Sequence, residues 1–187
     1  MIQVAMIFAA GRGERMRPLT DVTPKPLLKV AGKPLIVWQI EALARAGIRQ
    51  IVINHAWLGE QISEHLGDGD EFGVQLYYSA EQTALETAGG IANALRMLQL
   101  LSDSPIFLAV SGDVYTDYDY EQLHSVADEL ARASEPHMHL IMVDNPEFHP
   151  QGDFVLHEDG VLYPRDDTHG RALTFGNIGL YDMRQFE

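Results

Sequence analysis

The segment Ala9-Ala10-Gly11-Arg12-Gly13-Glu14-Arg15-Met16-Arg17-Pro18-Leu19 brings two glycines and three arginines into one short stretch, and Pro24-Lys25-Pro26 follows closely. Glycines let backbone N–H groups approach an anion without a Cβ in the way. Arg15 adds a charged fork, and Lys25 adds a point charge on a backbone stiffened by two prolines. Such a set suits phosphate oxygens. The charge distribution agrees. Residues 12–33 carry six basic residues against two acidic ones, and all three lysines of the chain lie there. The remainder carries seven basic and 25 acidic residues. One basic loop in a chain of net charge −14 looks built to hold a small, highly charged anion. A second chemical residue is Asp113, just beyond the apolar run 106–110. A carboxylate there suits Mg²⁺, which usually takes one or two carboxylates plus substrate phosphate oxygens. The plainer alternative is a turn aspartate beside Gly112.

Three phosphate-loop patterns compete. A Walker loop needs G-x-x-x-x-G-K-[ST], which is absent. A dinucleotide fingerprint needs a third small residue where Met16 stands, then an uninterrupted helix and a ribose-binding acid. Pro18, Pro24, Pro26 and Pro34 interrupt that helix, and Gly32-Lys33-Pro34 occupies the acid's place. What remains is an extended loop wrapped around a nucleoside triphosphate, against the alternative of a solvated surface loop.

The elements that must position these groups read as an α/β alternation. Residues 2–9 form an apolar run of strand length, as in a strand buried on both faces of a parallel sheet. Pro34 fits the first turn of a helix carrying Ile36, Ile40, Leu43 and Ala44, with Gly47 as its stop. Residues 51–53 and 74–78 read as strands and 58–66 as a short helix. Residues 87–101 follow as a helix, 106–110 as a strand, 123–130 as a helix behind an Asp119/Gln122 capping box, and 140–143 as a strand. Short strands follow at 154–156, 161–163 and 173–181. This order predicts a Rossmann-like, mostly parallel, doubly wound sheet with a small β-rich, substrate-facing lobe on the same domain. Trp38, on a helix, is expected to pack. Asn177, in a strand, is expected to be a buried polar group that needs partners. The spacing of His149, His157 and His169 matches no standard metal site, so solvated histidines are expected.

Composition excludes other classes. With no cysteine there is no disulfide scaffold, thiolate zinc site or cysteine nucleophile. The acidic balance argues against a nonspecific nucleic-acid or anionic-membrane binder. No apolar run approaches the ~20 residues of a membrane span. Met1-Ile2-Gln3 lacks a basic leader region, and a cytoplasmic location is expected.

Ala9-Ala10-Gly11-x-Gly13-x-Arg15-Met16-x-Pro18-Leu19-Thr20, followed by Thr23-Pro24-Lys25-Pro26-Leu27, resembles the signature of sugar-1-phosphate nucleotidylyltransferases. Within that family, residues 54–59 (Asn-His-Ala-Trp-Leu-Gly), 85–90 (Leu-Glu-Thr-Ala-Gly-Gly) and 112–117 (Gly-Asp-Val-Tyr-Thr-Asp) are most similar to the uridylyltransferases of N-acetylmuramate 1-phosphate, which act in cell-wall recycling. The resemblance implies a glycosyltransferase-A-like fold, Mg²⁺ dependence, and UTP and a sugar 1-phosphate as substrates. Products would be the nucleotide sugar and pyrophosphate. It implies one domain over 1–187, with about 1–113 on the nucleotide and about 114–187 on the sugar. Glucose- or mannose-type relatives, a phosphocholine-type cytidylyltransferase and a non-catalytic nucleotide-sugar regulator are the alternatives. The family's second metal-binding acid lies in a C-terminal Trp-x-[Asn/Asp]-Val-Gly-Thr-like segment. The chain stops at Glu187 without it, so a truncated C-terminus is expected.

By the same resemblance, segment 81–90 recognises the base, with Glu81 accepting from uracil N3–H and Gly89 nearby. The backbone of Ala10 and Gly11 would face the base carbonyls. Asn177 belongs to the sugar strand, and Tyr115 and Trp57 could shape the sugar side. The nucleophile, a phosphate monoester oxygen, is already anionic, so positioning and charge stabilisation suffice. Arg15 and the Gly11–Gly13 backbone would hold the leaving pyrophosphate, Lys25 would neutralise the α-phosphoryl group, and Asp113 would hold the metal. Lys25→Ala is therefore expected to cut turnover by a factor on the order of 10² or more with the fold intact. Near-wild-type turnover at saturating substrates would remove that role.

Overall fold

The computed structural model describes residues 1–167 and 169–187. Strand β1 (Val4–Phe8) leads into three short 3-10 turns, Glu14–Met16, Leu19–Asp21 and Lys25–Leu27, and a small hairpin of β2 (Lys29–Val30) and β3 (Lys33–Pro34). Helix α1 (Leu35–Arg45), β4 (Gln50–His55), α2 (Gly59–Leu66), β5 (Gln75–Ala80), α3 (Glu86–Leu101), β6 (Ile106–Ser111) and α4 (Leu123–Arg132) follow. The chain then runs through β7 (His139–Val143), β8 (Phe154–Leu156), β9 (Leu162–Pro164) and β10 (Arg171–Asp182). Gly47, at φ +80°, closes α1: its amide donates to Ala44 O and that of Ile48 to Leu43 O, the paired bonds of a Schellman motif.

The main sheet runs β5-β4-β1-β6-β10-β8-β9, with β7 also on β10. Its first four strands are parallel, Ala5 of β1 standing between Ile51 of β4 and Leu108 of β6. Alternate residues face opposite cores. Ala5, Ile7, Ile51, Ile53, Leu108 and Val110 meet α1, α2 and α4 through Ile36, Ile40, Leu43, Ile62 and Leu123. Val4, Met6, Val52, Phe107 and Ala109 meet α3 through Ile91, Ala94 and Leu98. Both faces are covered, so apolar runs rather than alternation mark these strands. The chain steps outward from β1 to β4 and β5, then returns to place β6 on the other side of β1. That reversal opens a crevice beyond the carboxyl end of β1, where ligands of open α/β sheets bind. Among the described residues no helix is long and apolar enough to cross a membrane.

The β-rich end is continuous with this sheet, because β10 pairs antiparallel with β6, β7 and β8. It is twelve residues long, longer than its sequence pattern predicts. A register shift between Phe175 and Gly179, with Asn177 at φ +60°, breaks the alternation. Asn177 is exposed, which corrects the expectation of a buried strand asparagine: the bulge turns its side chain out of the pleat. Trp38 is only partly buried. Its indole donates to Val30 O at 3.2 Å, and Lys33 Nζ lies 4.2 Å above the ring, so it anchors the β2–β3 hairpin rather than filling the core.

The turn after β6 is held from two sides. The amide of Gly112 donates to Phe8 O at 2.9 Å, and a Cβ there would stand 2.9 Å from Ile7 Cγ2. Behind the turn, Tyr120 Oη donates to Gln39 Oε1 at 2.5 Å, and Gln39 Nε2 donates to Val114 O at 2.6 Å. Burial pushes the Tyr120 phenol pKa up, so it stays a donor. Tyr120→Phe would leave the buried Gln39 oxygen without its donor and is expected to cost ~1–3 kcal/mol. The midpoint of denaturant unfolding measures it; an unchanged midpoint would show that the contact carries no stability.

Candidate active site

The loop after β1 is shaped by Gly13 and Thr20. Gly13 adopts φ +65°, and a Cβ there would stand 2.9 Å from Thr20 Cγ2 and 3.2 Å from Lys25 Cβ. Thr20 Oγ1 donates to Gly13 O at 2.8 Å. Gly11 differs: nothing lies within 4 Å of where its Cβ would be, and its φ is not positive. The fold therefore does not explain Gly11, whereas close approach of a ligand would. Arg12 pairs loosely with Glu14 and lies 4.6 Å over the Trp57 ring, and Arg17 pairs with Asp21 at 3.2 Å. Among the described residues no ion pair engages Arg15, which leaves its guanidinium for something else.

Lys25 and Asp113, 88 residues apart, meet at 2.6 Å. Lys25 sits at the start of the Lys25–Leu27 turn, with Pro24 before it in extended backbone, as the proline bracket predicts. Asp113 sits on the turn held by Gly112. The two are shared by adjoining cavities that also share Gly11. One, about 630 Å³, is lined by Gly13, Glu14, Arg15 and Met16 and suits an extended anion. The other, about 270 Å³, is lined by Phe8, Ala9, Ala10, Asn54, Ala84, Glu86, Thr87 and Ser111. This slot is a small, mostly apolar cavity of the kind that takes an apolar ring with a few polar groups placed around it. Asp113 is a single carboxylate, and among the described residues no group of three His, Asp or Glu side chains could hold a metal. A divalent ion here would need oxygens supplied by its ligand.

On the slot's far wall, Glu86 begins α3 at φ +58°, a costly conformation for a residue with a side chain. Glu81, expected to meet a base directly, has both oxygens engaged: Oε1 accepts from Asn54 Nδ2 at 2.7 Å and Oε2 from the Leu85 amide at 2.9 Å. Glu81 and Gly89 do not line the slot; Ala84, Glu86 and Thr87 do. The glycine pair has a local explanation. A Cβ on Gly90 would stand 2.7 Å from Asn54 Nδ2, and one on Gly89 would stand 2.8 Å from Leu85 Cβ. Asn54 lines the slot, a position the sequence analysis does not assign to it. Its signals are an amide closing an otherwise apolar run, Ile51-Val52-Ile53, and its place at the head of the family-like segment 54–59.

Asn177 approaches the same region through Ser111, whose hydroxyl donates to Asn177 Oδ1 at 3.1 Å. Tyr115 is exposed and packs edge-on against Trp38 at 5.5 Å. Trp57 contacts the loop after β1: its indole donates to Thr20 O at 3.1 Å, under Arg12. The histidines of the β-rich end are paired with carboxylates rather than merely solvated. His149 meets Asp153 at 3.1 Å and His157 meets Asp167 at 3.1 Å. His169 lies 3.5 Å from Asp167, whose carboxyl is held below its ordinary pKa first by the His169 amide.

Comparison with known proteins gives the family. The chain is 52% identical over 184 residues to N-acetylmuramate alpha-1-phosphate uridylyltransferase of Neisseria meningitidis, covering 98% of this chain and 77% of that protein. The enzyme of the same description from Caulobacter vibrioides is 34% identical, with 95% and 74% covered. Mannose-1-phosphate guanylyltransferase catalytic subunit beta of Drosophila melanogaster is 39% identical over 120 residues, 64% of this chain and 32% of that one, so the chain spans about a third of that relative. Among solved structures, HddC from Yersinia pseudotuberculosis with GMP-PN superposes with a TM-score of 0.75 at 20% identity, covering 100% of this chain and 79% of that one, which speaks for the fold alone. Residues 4–148 match the family described as Nucleotidyl transferase, and the chain belongs to that family.

Proposed function

We propose that this nucleotidyltransferase joins UTP and N-acetylmuramic acid 1-phosphate to give the UDP-sugar and pyrophosphate. The observation that carries the reading is the convergence of Arg15, which no ion pair engages among the described residues, the Gly11–Gly13 backbone and the Lys25–Asp113 pair on one cleft at the switch point. Identity of 52% over nearly the whole chain to a uridylyltransferase of that sugar phosphate supports the choice of substrates. In this reading residues 1–113 hold the nucleotide and 114–187 the sugar.

The base lies in the slot between the Ala10–Gly11 backbone and the 84–87 segment. Arg15 and the loop amides hold the β- and γ-phosphates. The sugar phosphate oxygen attacks the α-phosphorus in line, and the bond to the bridging oxygen breaks, releasing pyrophosphate. Lys25 turns from Asp113 toward the α-phosphoryl oxygens and stabilises the charge that develops there. Asn177, Tyr115 and Trp57 are assigned to the sugar side. The donor set fits Mg²⁺, with Asp113 as the protein carboxylate and phosphates completing it; when bound, the ion would neutralise phosphate charge. A reaction of this kind draws on nucleoside triphosphates and sugar phosphates together, which supports a cytoplasmic location.

A grid of nucleoside triphosphates against sugar 1-phosphates, read as pyrophosphate release with Mg²⁺, tests the assignment. UTP with N-acetylmuramate 1-phosphate is expected to be the best pair; a different best sugar or base would replace the corresponding half. The loop has its own test. Gly11→Ala is expected to leave the melting temperature unchanged and weaken UTP binding at least ~10-fold, because only a close ligand needs that space. Gly13→Ala is expected to lose ~1–2 kcal/mol of stability even without ligand, since the left-handed backbone strains any Cβ. Calorimetric binding and melts of both variants separate the roles, and unchanged UTP affinity in Gly11→Ala would remove the loop amides from the phosphate site.

A further inference from the structure

Four segments that bound the base slot meet on two buried side chains. Asn54, 2% exposed, lies near the end of β4, and Glu81, 7% exposed, follows β5. The Ala9 amide, one residue past β1, is shared between Asn54 O at 3.2 Å and Asn54 Oδ1 at 3.0 Å. Asn54 Nδ2 donates to Glu81 Oε1 at 2.7 Å, and Glu81 Oε2 accepts from Leu85 N at 2.9 Å, one residue before α3. Gly90, in the first turn and a half of α3, presses on the same pair: a Cβ there would stand 3.0 Å from Glu81 Oε1. The slot has Ala9, Ala10 and Gly11 on one wall and Ala84, Glu86 and Thr87 on the other, with Asn54 between them. Asn54 and Glu81 are therefore the tie that fixes the distance from wall to wall.

We propose that the Asn54–Glu81 pair sets the spacing of the base slot and thereby its base selectivity, with Glu81 acting through Asn54 and the Leu85 amide rather than by touching the base. This rests on the reading that the slot takes the nucleobase. Both are positioning residues. The polarity of the tie is fixed by chemistry. Ala9 N–H donates to Asn54 Oδ1 as well as to the Asn54 carbonyl, which leaves the Asn54 amide nitrogen facing Glu81. Glu81 must then accept on both oxygens, from Asn54 and from Leu85, and only a carboxylate does so. Glu81→Gln places an NH₂ group against either the Asn54 NH₂ or the Leu85 N–H. Asn54→Asp places two carboxylates against each other. The two changes together restore every bond with the donor and acceptor of the inner contact exchanged. The carboxylate introduced at position 54 accepts from the Ala9 amide and from the NH₂ group introduced at position 81. The amide oxygen at position 81 then accepts from Leu85.

The test measures calorimetric affinity for UTP, CTP, GTP and dTTP, with melting temperatures, for the wild type, Glu81→Gln, Asn54→Asp and the double variant. Each single variant is expected to bind the preferred nucleotide at least ~10-fold more weakly and to lose most of the preference among bases, because a buried mismatch pushes the walls apart. The double variant is expected to recover affinity to within a few-fold and to recover the preference, a coupling visible in the cycle. If the single variants do not fold, a folded double variant with wild-type preference still supports the proposal, and one without it overturns it. Unchanged base preference in the single variants, with only a lowered melting temperature, overturns it as well. So does a double variant that folds but stays as weak as Glu81→Gln, since that is the result if the Glu81 carboxylate contacts the base itself. A wild type that prefers a base other than uracil overturns the uridine reading alone, and the cycle is then read on the preferred base. A wild type that binds none of the four overturns both.

Discussion

The amide of Ala9 is the first to follow β1, and something must accept its hydrogen if the chain is to turn away there. Asn54 does so with backbone and side chain together. A buried N–H left alone would cost about as much as a lost hydrogen bond, so this bond governs where the glycine loop leaves the sheet. The rest follows from that exit. Gly13 folds back onto Thr20 and Lys25, and Lys25 reaches Asp113. On the other side, the amide nitrogen of the same Asn54 fixes Glu81 and with it the entry to α3. Cleft and fold are built from one set of contacts at the switch point.

The parallel half of the fold is legible because burial on both faces leaves its mark on sequence. Ile51-Val52-Ile53 and residues 106–110 are apolar throughout, and each lies inside the observed strand. Helices α1 and α3 announce themselves by spacing and by stops such as Gly47. Strand β10 is legible only in part. Its pairing changes partner along its length and passes a left-handed residue, so neither alternation nor a continuous apolar run survives over twelve residues.

The site shows the same division. Local features leave a mark: the proline bracket stiffens the backbone at Lys25, while Gly13, read for close approach to an anion, is also required by its left-handed backbone and by Thr20 and Lys25 beside it. Contacts made across the chain leave none. Nothing in the order of residues says that Lys25 meets Asp113, or that Gly90 is small because Asn54 and Glu81 stand against it. Gly89 is likewise crowded by Leu85, a neighbour that no local pattern announces as a constraint on residue size. Asn177 reads as buried because a strand position normally means a covered or a solvated face, and a bulge offers a third choice.

The Lys25–Asp113 contact carries a consequence for what the cleft admits. At 2.6 Å the ammonium and the carboxylate cancel, so the resting mouth presents no net charge between them. A free cation binding Asp113 must displace the ammonium from it, and a free anion binding Lys25 must displace the carboxylate. A solute that brings both signs at once satisfies each partner as it separates them, and neither charge is stranded in the process. The cleft thus behaves like a two-key lock, admitting a matched pair of opposite ions more readily than either ion alone.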